Sequence, residues 1–109
     1  MLIDFSAMEE QVIPGFLGGE GTFHTRMRVD ELGKIMRAAL EPGSSIGLHT
    51  HDTSSEIICI LSGKGKVLYD GEYESLTAGD CHYCPKGPSH SLINDSGAML
   101  EFFAVVPFQ

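Results

Sequence analysis

The chain has 109 residues, 42% of them hydrophobic and 20% charged, with a formal net charge of −8. That length holds one domain, and that composition belongs to a globular protein rather than a disordered one. Seven scattered basic residues argue against nucleic acid or an anionic membrane as partner, and no apolar run approaches the length that crosses a bilayer.

Residues 1–21 have weak patterning. Pro14, Gly15, Gly18, Gly19 and Gly21 make their second half a loop, so this stretch is expected to be an N-terminal arm and loop that packs on the barrel or on a neighbouring subunit. The run Gly18-Gly19-Glu20-Gly21 opens no helix and lacks the Gly-Lys-Ser/Thr of a phosphate loop, so it reads as a flexible connection. The terminus shows no basic region followed by an apolar one, and a cytoplasmic location is expected. From residue 22 to 109 short apolar runs alternate with turn signals. Strands are predicted over 22–28, 34–40, 45–50, 56–62, 66–69, 73–76, 81–84, 89–94 and 99–106. Asp70-Gly71 is the strongest hairpin signal, because that pair readily takes the positive φ of a type I′ turn. No segment has helical periodicity with a cap. Many short, evenly spaced strands predict an all-β sandwich or barrel.

Chemistry concentrates in the second half. His49 and His51 are two apart, which on a strand turns both side chains to one face. Glu56 has the parity of Ile58 and Ile60, so one face carries a carboxylate among apolar residues. Such a group is costly to bury unless it is paired, hydrogen-bonded or bound to a metal. His90 follows Pro85-Lys86-Gly87-Pro88 at the start of a later strand. One shared ion accounts for all four positions.

Around these residues the chain resembles the cupin superfamily. Gly43, His49, His51, Glu56 and Gly63 match every specified position of the first cupin motif, G-x5-H-x-H-x4-E-x6-G. Gly79, Pro85, Gly87, His90 and Asn94 match the second, G-x5-P-x-G-x2-H-x3-N. The spacer, residues 64–78, is as compact as in small bacterial cupins. The resemblance implies a single jelly-roll (double-stranded β-helix) barrel with a metal in its mouth. It also implies that His49, His51, Glu56 and His90 are the ligands, that the glycines are turn residues, and that Pro85 and Asn94 are structural.

The donor set agrees. Imidazole and carboxylate suit Mn, Fe, Co, Ni, Cu or Zn, whereas Ca and Mg favour oxygen-only shells. Three neutral imidazoles and one carboxylate leave a divalent ion with net charge about +1, and two positions open if it is six-coordinate. The leading expectation is a metal-dependent, oxygenase-like enzyme acting on a small organic molecule, with Glu56 able to double as a base. Two alternatives stay open: a non-catalytic binding or sensor module for a sugar or organic acid, and a metal-dependent isomerase or decarboxylase. A homodimer is expected, partly because open sheet edges need covering.

Other residues carry weaker signals. Cys81-His82-Tyr83-Cys84 is formally C-x-x-C, but on a strand residues three apart face opposite sides, and an odd count of three cysteines fits free thiols. His82 shares the parity of Cys84 and is either an interior hydrogen-bonding partner of the site or a surface residue. His24 is read as a solvated edge position. Arg26, Arg28 and Arg37 are candidate carboxylate binders, with surface salt bridges the plainer reading. Met36, Tyr69, Tyr83, Met99, Phe102 and Phe103 are read as mostly core, with one or two of them in the cavity wall.

Overall fold

A computed structural model describes all of residues 1–109. Alternation of buried and exposed residues governs it. Met36, Ala38 and Leu40 on one strand, Ile58 and Ile60 on another, and Phe102, Ala104 and Val106 on a third are buried at every second position. Each of the larger inward side chains, Met36, Leu40, Ile58, Ile60, Phe102 and Val106, contributes about 1.5–3 kcal/mol by leaving water, so the strands have one stable face choice.

Ten strands result: β1 (Gln11–Pro14), β2 (Thr22–Asp30), β3 (Gly33–Leu40), β4 (His49–Thr50), β5 (Glu56–Ser62), β6 (Lys64–Tyr69), β7 (Glu72–Thr77), β8 (Cys81–Cys84), β9 (Ser89–Ile93) and β10 (Leu100–Pro107). They form two antiparallel sheets, β1-β2-β3-β10-β5-β8 and β4-β9-β6-β7. The apolar core lies between them and includes Phe23, Leu40, Ile58, Val67, Leu92 and Phe102. The architecture is all-β, as the sequence predicts. The only helical pieces are two 3-10 turns, Phe5–Ala7 and Phe16–Gly18. The β6–β7 hairpin turns at Asp70 and Gly71 with φ of 49° and 85°, the expected pair of positive values.

Three features differ from expectation. Gln11–Pro14, within the stretch read as arm and loop, pairs with β2 as an edge strand. Tyr83 and Met99, read as core, are exposed instead, because each falls on the outward parity of its strand or just before it. The predicted strand 45–50 shrinks to His49–Thr50, because the chain before it alternates its partners. Ile46 N–H donates to Leu92 C=O on β9, while Gly47 N–H donates to Phe16 C=O in the N-terminal loop. Only glycine fits there, since a Cβ on residue 47 would collide with the Leu17 carbonyl. The Gly-rich loop is therefore tied down rather than loose: Gly15 N–H also donates to Gly21 C=O, and Ser45 N–H to Glu20 C=O.

Asn94 is fully buried and fully satisfied. Its amide donates to the Leu40 and Ala98 carbonyls at 2.9 and 2.8 Å, and its oxygen accepts from Ser96 N–H and Oγ at 3.0 and 2.8 Å. It joins the ends of β3 and β9 to the turn before β10. Asn94→Ala takes the amide donor from the carbonyl of buried Leu40 and is expected to cost about 1–3 kcal/mol, read from the urea midpoint; a loss under about 0.5 kcal/mol would contradict this.

The arm is held electrostatically. His24 Nδ1 meets Glu10 at 2.9 Å and Nε2 meets Glu41 at 2.6 Å, and Arg26 Nε donates to the Met8 carbonyl at 3.2 Å. The sequence placed His24 on a solvated edge; it is instead half-buried between two carboxylates. Those bonds, to Glu41 first and then Glu10, raise the imidazole above its ordinary 6.5, while the bond from His24 lowers Glu10 below its ordinary 4.5. The raised imidazole stabilises the fold below pH 6.5 and loses that effect as pH rises through its folded value. The lowered carboxyl acts above pH 4.5. His24→Gln should therefore lower the melting temperature most between about pH 5 and 6.5 and least near pH 9. A loss independent of pH would overturn the ion-pair account.

Candidate metal centre

Four side chains converge at one end of the barrel, supplied by both sheets. Glu56 opens β5 in the larger sheet, while His49 on β4 and His90 on β9 are register partners in the smaller one. His51 follows β4. The inward parity of Glu56 with Ile58 and Ile60 holds, and both Glu56 and His90 are buried.

Outer hydrogen bonds orient each ring. His49 Nδ1–H donates to the Gly47 carbonyl at 2.7 Å; a carbonyl can only accept, so the Nε2 of the neutral ring carries a lone pair. His51 Nδ1 lies 2.8 Å from Ser54 Oγ, and His90 Nδ1 lies 3.1 Å from His82 Nε2. All three rings thus turn Nε2 toward one centre, where His51 and His90 meet Glu56. Burial, reinforced by the neighbouring His90 and His51 rings, keeps His49 below its usual range, which favours the neutral form. Burial alone would raise Glu56, but the hydrogen bonds of His51 and His90 outweigh it and hold the carboxyl at about 2.

The spacing tests whether an ion fits. His51 Nε2 is 3.2 Å from His49 Nε2, 3.0 Å from His90 Nε2 and 3.2 Å from Glu56 Oε1. His90 Nε2 is 3.1 Å from His49 Nε2 and 3.0 Å from Glu56 Oε1. The sixth pair, His49 with Glu56, makes no such contact, although all four donor atoms lie within 4.8 Å of one another. Bonds of about 2.0–2.2 Å at right angles place neighbouring donors about 3.0 Å apart and opposite donors about 4.2 Å apart, whereas a tetrahedron makes all six separations about 3.4 Å. Five short separations and one long one match the right-angled case. Held on these residues, an ion of that geometry would take four donors from His49, His51, Glu56 and His90 and would have room for a further ligand. The residues fit a six-coordinate transition ion.

A cavity of about 260 Å³ leads to this cluster. Phe16, Leu17, Phe23, Met27, Met36, Ile46, Val106 and Phe108 are its apolar wall, with Lys34, Thr53 and Ser54 the polar members beyond the cluster itself. Of these, Met36 alone stands out in the sequence, as one of six residues read as mostly core with one or two of them in the wall. Lys34 was legible by parity, since it faces the same way as Met36, Ala38 and Leu40. Phe16 and Leu17 were not, because the loop that carries them has no period.

The remaining residues fall into place around it. His82 is buried on its hydrogen bond to His90, with Glu74 Oε1 at 3.5 Å from its other nitrogen, which settles its two readings in favour of the interior. Cys81 and Cys84 do face opposite sides of β8. Cys84 is buried with its thiol pushed up to about 11 by burial and by Glu56, and Cys81 lies 3.7 Å from Cys59 across the sheet. Arg26 and Arg28 pair with Glu10 and Asp30, and with Arg37 they lie outside the cavity.

Comparison with known proteins agrees with this geometry. The family model described as "Cupin domain" matches residues 36–106. An oxalate-binding protein of Thermotoga maritima is 32% identical over 97% of this chain and 93% of its own length. The crystal structure of a Thermotoga maritima protein described as a predicted oxalate decarboxylase superposes over the whole of both chains with a TM-score of 0.93 at 31% identity. A structure from Thermus thermophilus, 22% identical, covers 98% of this chain and 90% of its own with a TM-score of 0.70, a likeness of fold. By its family match, its fold and its full-length relatives, this chain is a member of the cupin family, a small cupin whose cluster of three histidines and one glutamate is suited to a metal ion.

Proposed function

We propose that this cupin holds a divalent transition metal on His49, His51, Glu56 and His90 and uses it to capture a small organic acid. The observation that carries the reading is the pattern of five short donor separations and one long one, which would let a six-coordinate ion on these four residues accept a carboxylate as well. The ion, when bound, supplies positive charge in a cavity whose walls are mainly apolar, where it is worth far more than in water. The oxalate-binding relative, alike over nearly the full length of both chains, supports the ligand class.

The chain's own groups do the rest. Gly47, Ser54 and His82 keep the three Nε2 atoms aimed inward. Phe16, Leu17 and the core side chains limit water. Glu56, held at about 2, is a ligand rather than a proton donor at neutral pH. Among the cavity-lining groups, no other carboxyl stands ready as a general acid, which favours capture over the decarboxylase alternative.

Metal-loaded protein should bind oxalate with one equivalent per chain in calorimetry, and metal-free protein should not. Equal binding with and without metal would sink the reading. An oxygen electrode and formate detection on the same samples separate capture from the oxygenase and decarboxylase alternatives.

Loading should also stabilise the fold, by about 4 kcal/mol when free metal is roughly a thousand times its dissociation constant. His90→Ala should abolish this gain. A chelator that leaves the melting temperature of natively loaded protein unchanged would count against a bound ion.

A further inference from the structure

Seven side chains are cationic, and their pairing separates them. Arg37, Lys64 and Lys86 are exposed and unpaired, as solvated charges can be. Arg26, Arg28 and Lys66 are half-buried, and each has a carboxylate within ion-pair distance: Glu10 at 3.7 Å, Asp30 at 3.8 Å and Asp95 at 3.7 Å. Lys34 is the fourth half-buried cation and has no carboxylate partner.

Lys34 borders two spaces, a groove whose other charges, Arg28 and Asp30, pair with each other, and the cavity in front of the cluster. Lys34 has the inward parity of Met36 and Ala38 and lines the cavity that His49, His51 and Glu56 also line, where it is the sole lysine or arginine. The register places Lys34 opposite Val106. Val105 lies opposite Ile57, so the same ladder brings Val106 beside Glu56. Lys34, Val106 and Glu56 thus form one inward-facing row across three adjacent strands. Two strand spacings separate the backbone of Lys34 from that of Glu56 by about 10 Å. The two charges make no contact, and an apolar valine lies between their strands.

We propose that Lys34 is the specificity-determining residue of this site: it pairs with the far carboxylate of a short dicarboxylate whose near carboxylate sits at the centre formed by the three histidines and Glu56. This rests on the metal-dependent capture of an organic acid proposed above. The long apolar stem of lysine suits a wall made of Met27, Met36 and Val106, and apart from Glu56, which it does not contact, no carboxylate lines that cavity. The preferred ligand is therefore longer than oxalate, whose two carboxylates both fall at the metal end.

The test is calorimetry on manganese-loaded protein with acetate, oxalate, malonate, succinate and glutarate, using wild type, Lys34→Met and Lys34→Arg. Wild type should bind one of the three longer dicarboxylates at least about tenfold tighter than acetate. Lys34→Met should reduce that preference to about twofold while leaving manganese and acetate affinities unchanged, and Lys34→Arg should keep most of it. No preference in wild type, or equal weakening of acetate and dicarboxylate by Lys34→Met, would overturn the role of Lys34 while leaving acid capture in place. Binding of none of the five acids to loaded protein would overturn both.

Discussion

The arrangement at the barrel's end depends on the burial of one carboxylate against three imidazoles. Glu56 and His90 are nearly sealed from water, and a lone ionised carboxylate there would be costly by several kcal/mol. Two imidazoles offset that cost in part, which is why the carboxyl stays near 2 despite its burial. The offset is incomplete, since three nitrogens 3.0–3.2 Å apart cannot all direct protons at each other and at one oxygen. A cation at the centre resolves the conflict. The cluster also bridges the sheets, so whatever binds it ties β5 to β4 and β9.

Orientation matters as much as proximity, and it is set one layer out. The Gly47 carbonyl accepts from His49, and the same residue, having no Cβ, lets the Phe16–Gly18 turn press against it. The same close approach brings Phe16 and Leu17 into the cavity wall. One glycine therefore touches both the ring of His49 and the loop that walls the space in front of the cluster. On the opposite side, His82 lies 3.1 Å from His90 and only 3.5 Å from Glu74, whose carboxylate is half exposed. That line of groups runs from the centre to the surface, and each link favours His90 presenting Nε2 inward.

Most of the fold was legible because burial here has period two. All nine strands read from the sequence exist, though one of them is much shortened, and the parity of Glu56 with Ile58 and Ile60 correctly turned it inward. The same rule separated Cys81 from Cys84. What escaped was structure without a period. Gln11–Pro14 is a short edge strand with one half-buried residue, and its pairing depends on β2 rather than on its own pattern. Phe16 reaches the core by stacking on Phe23, ring centroids 4.7 Å apart, from a loop that glycines make look slack. Cys59 and Cys81 meet only through the β5–β8 register, which no local spacing encodes. The four cluster residues were visible because two short motifs carry them, but the wall of their cavity is assembled from distant segments.

The row that crosses the larger sheet at the level of the site shows how such a wall grades the environment. Reading across strands β2, β3, β10, β5 and β8, it runs Val29, Lys34, Val106, Glu56 and Cys84, from exposed through half-buried to buried. Charge strengthens inward along that gradient because screening falls as water is lost. A carboxylate at the deep end can hold an ion, and an ammonium at the middle can still reach solvent before a ligand arrives. Exchanging the two would bury an ammonium among imidazoles and leave the carboxylate near water, where it would bind a metal weakly. The order of residues along one row thus sets the end of the cavity that is suited to a metal apart from the end proposed to meet a ligand.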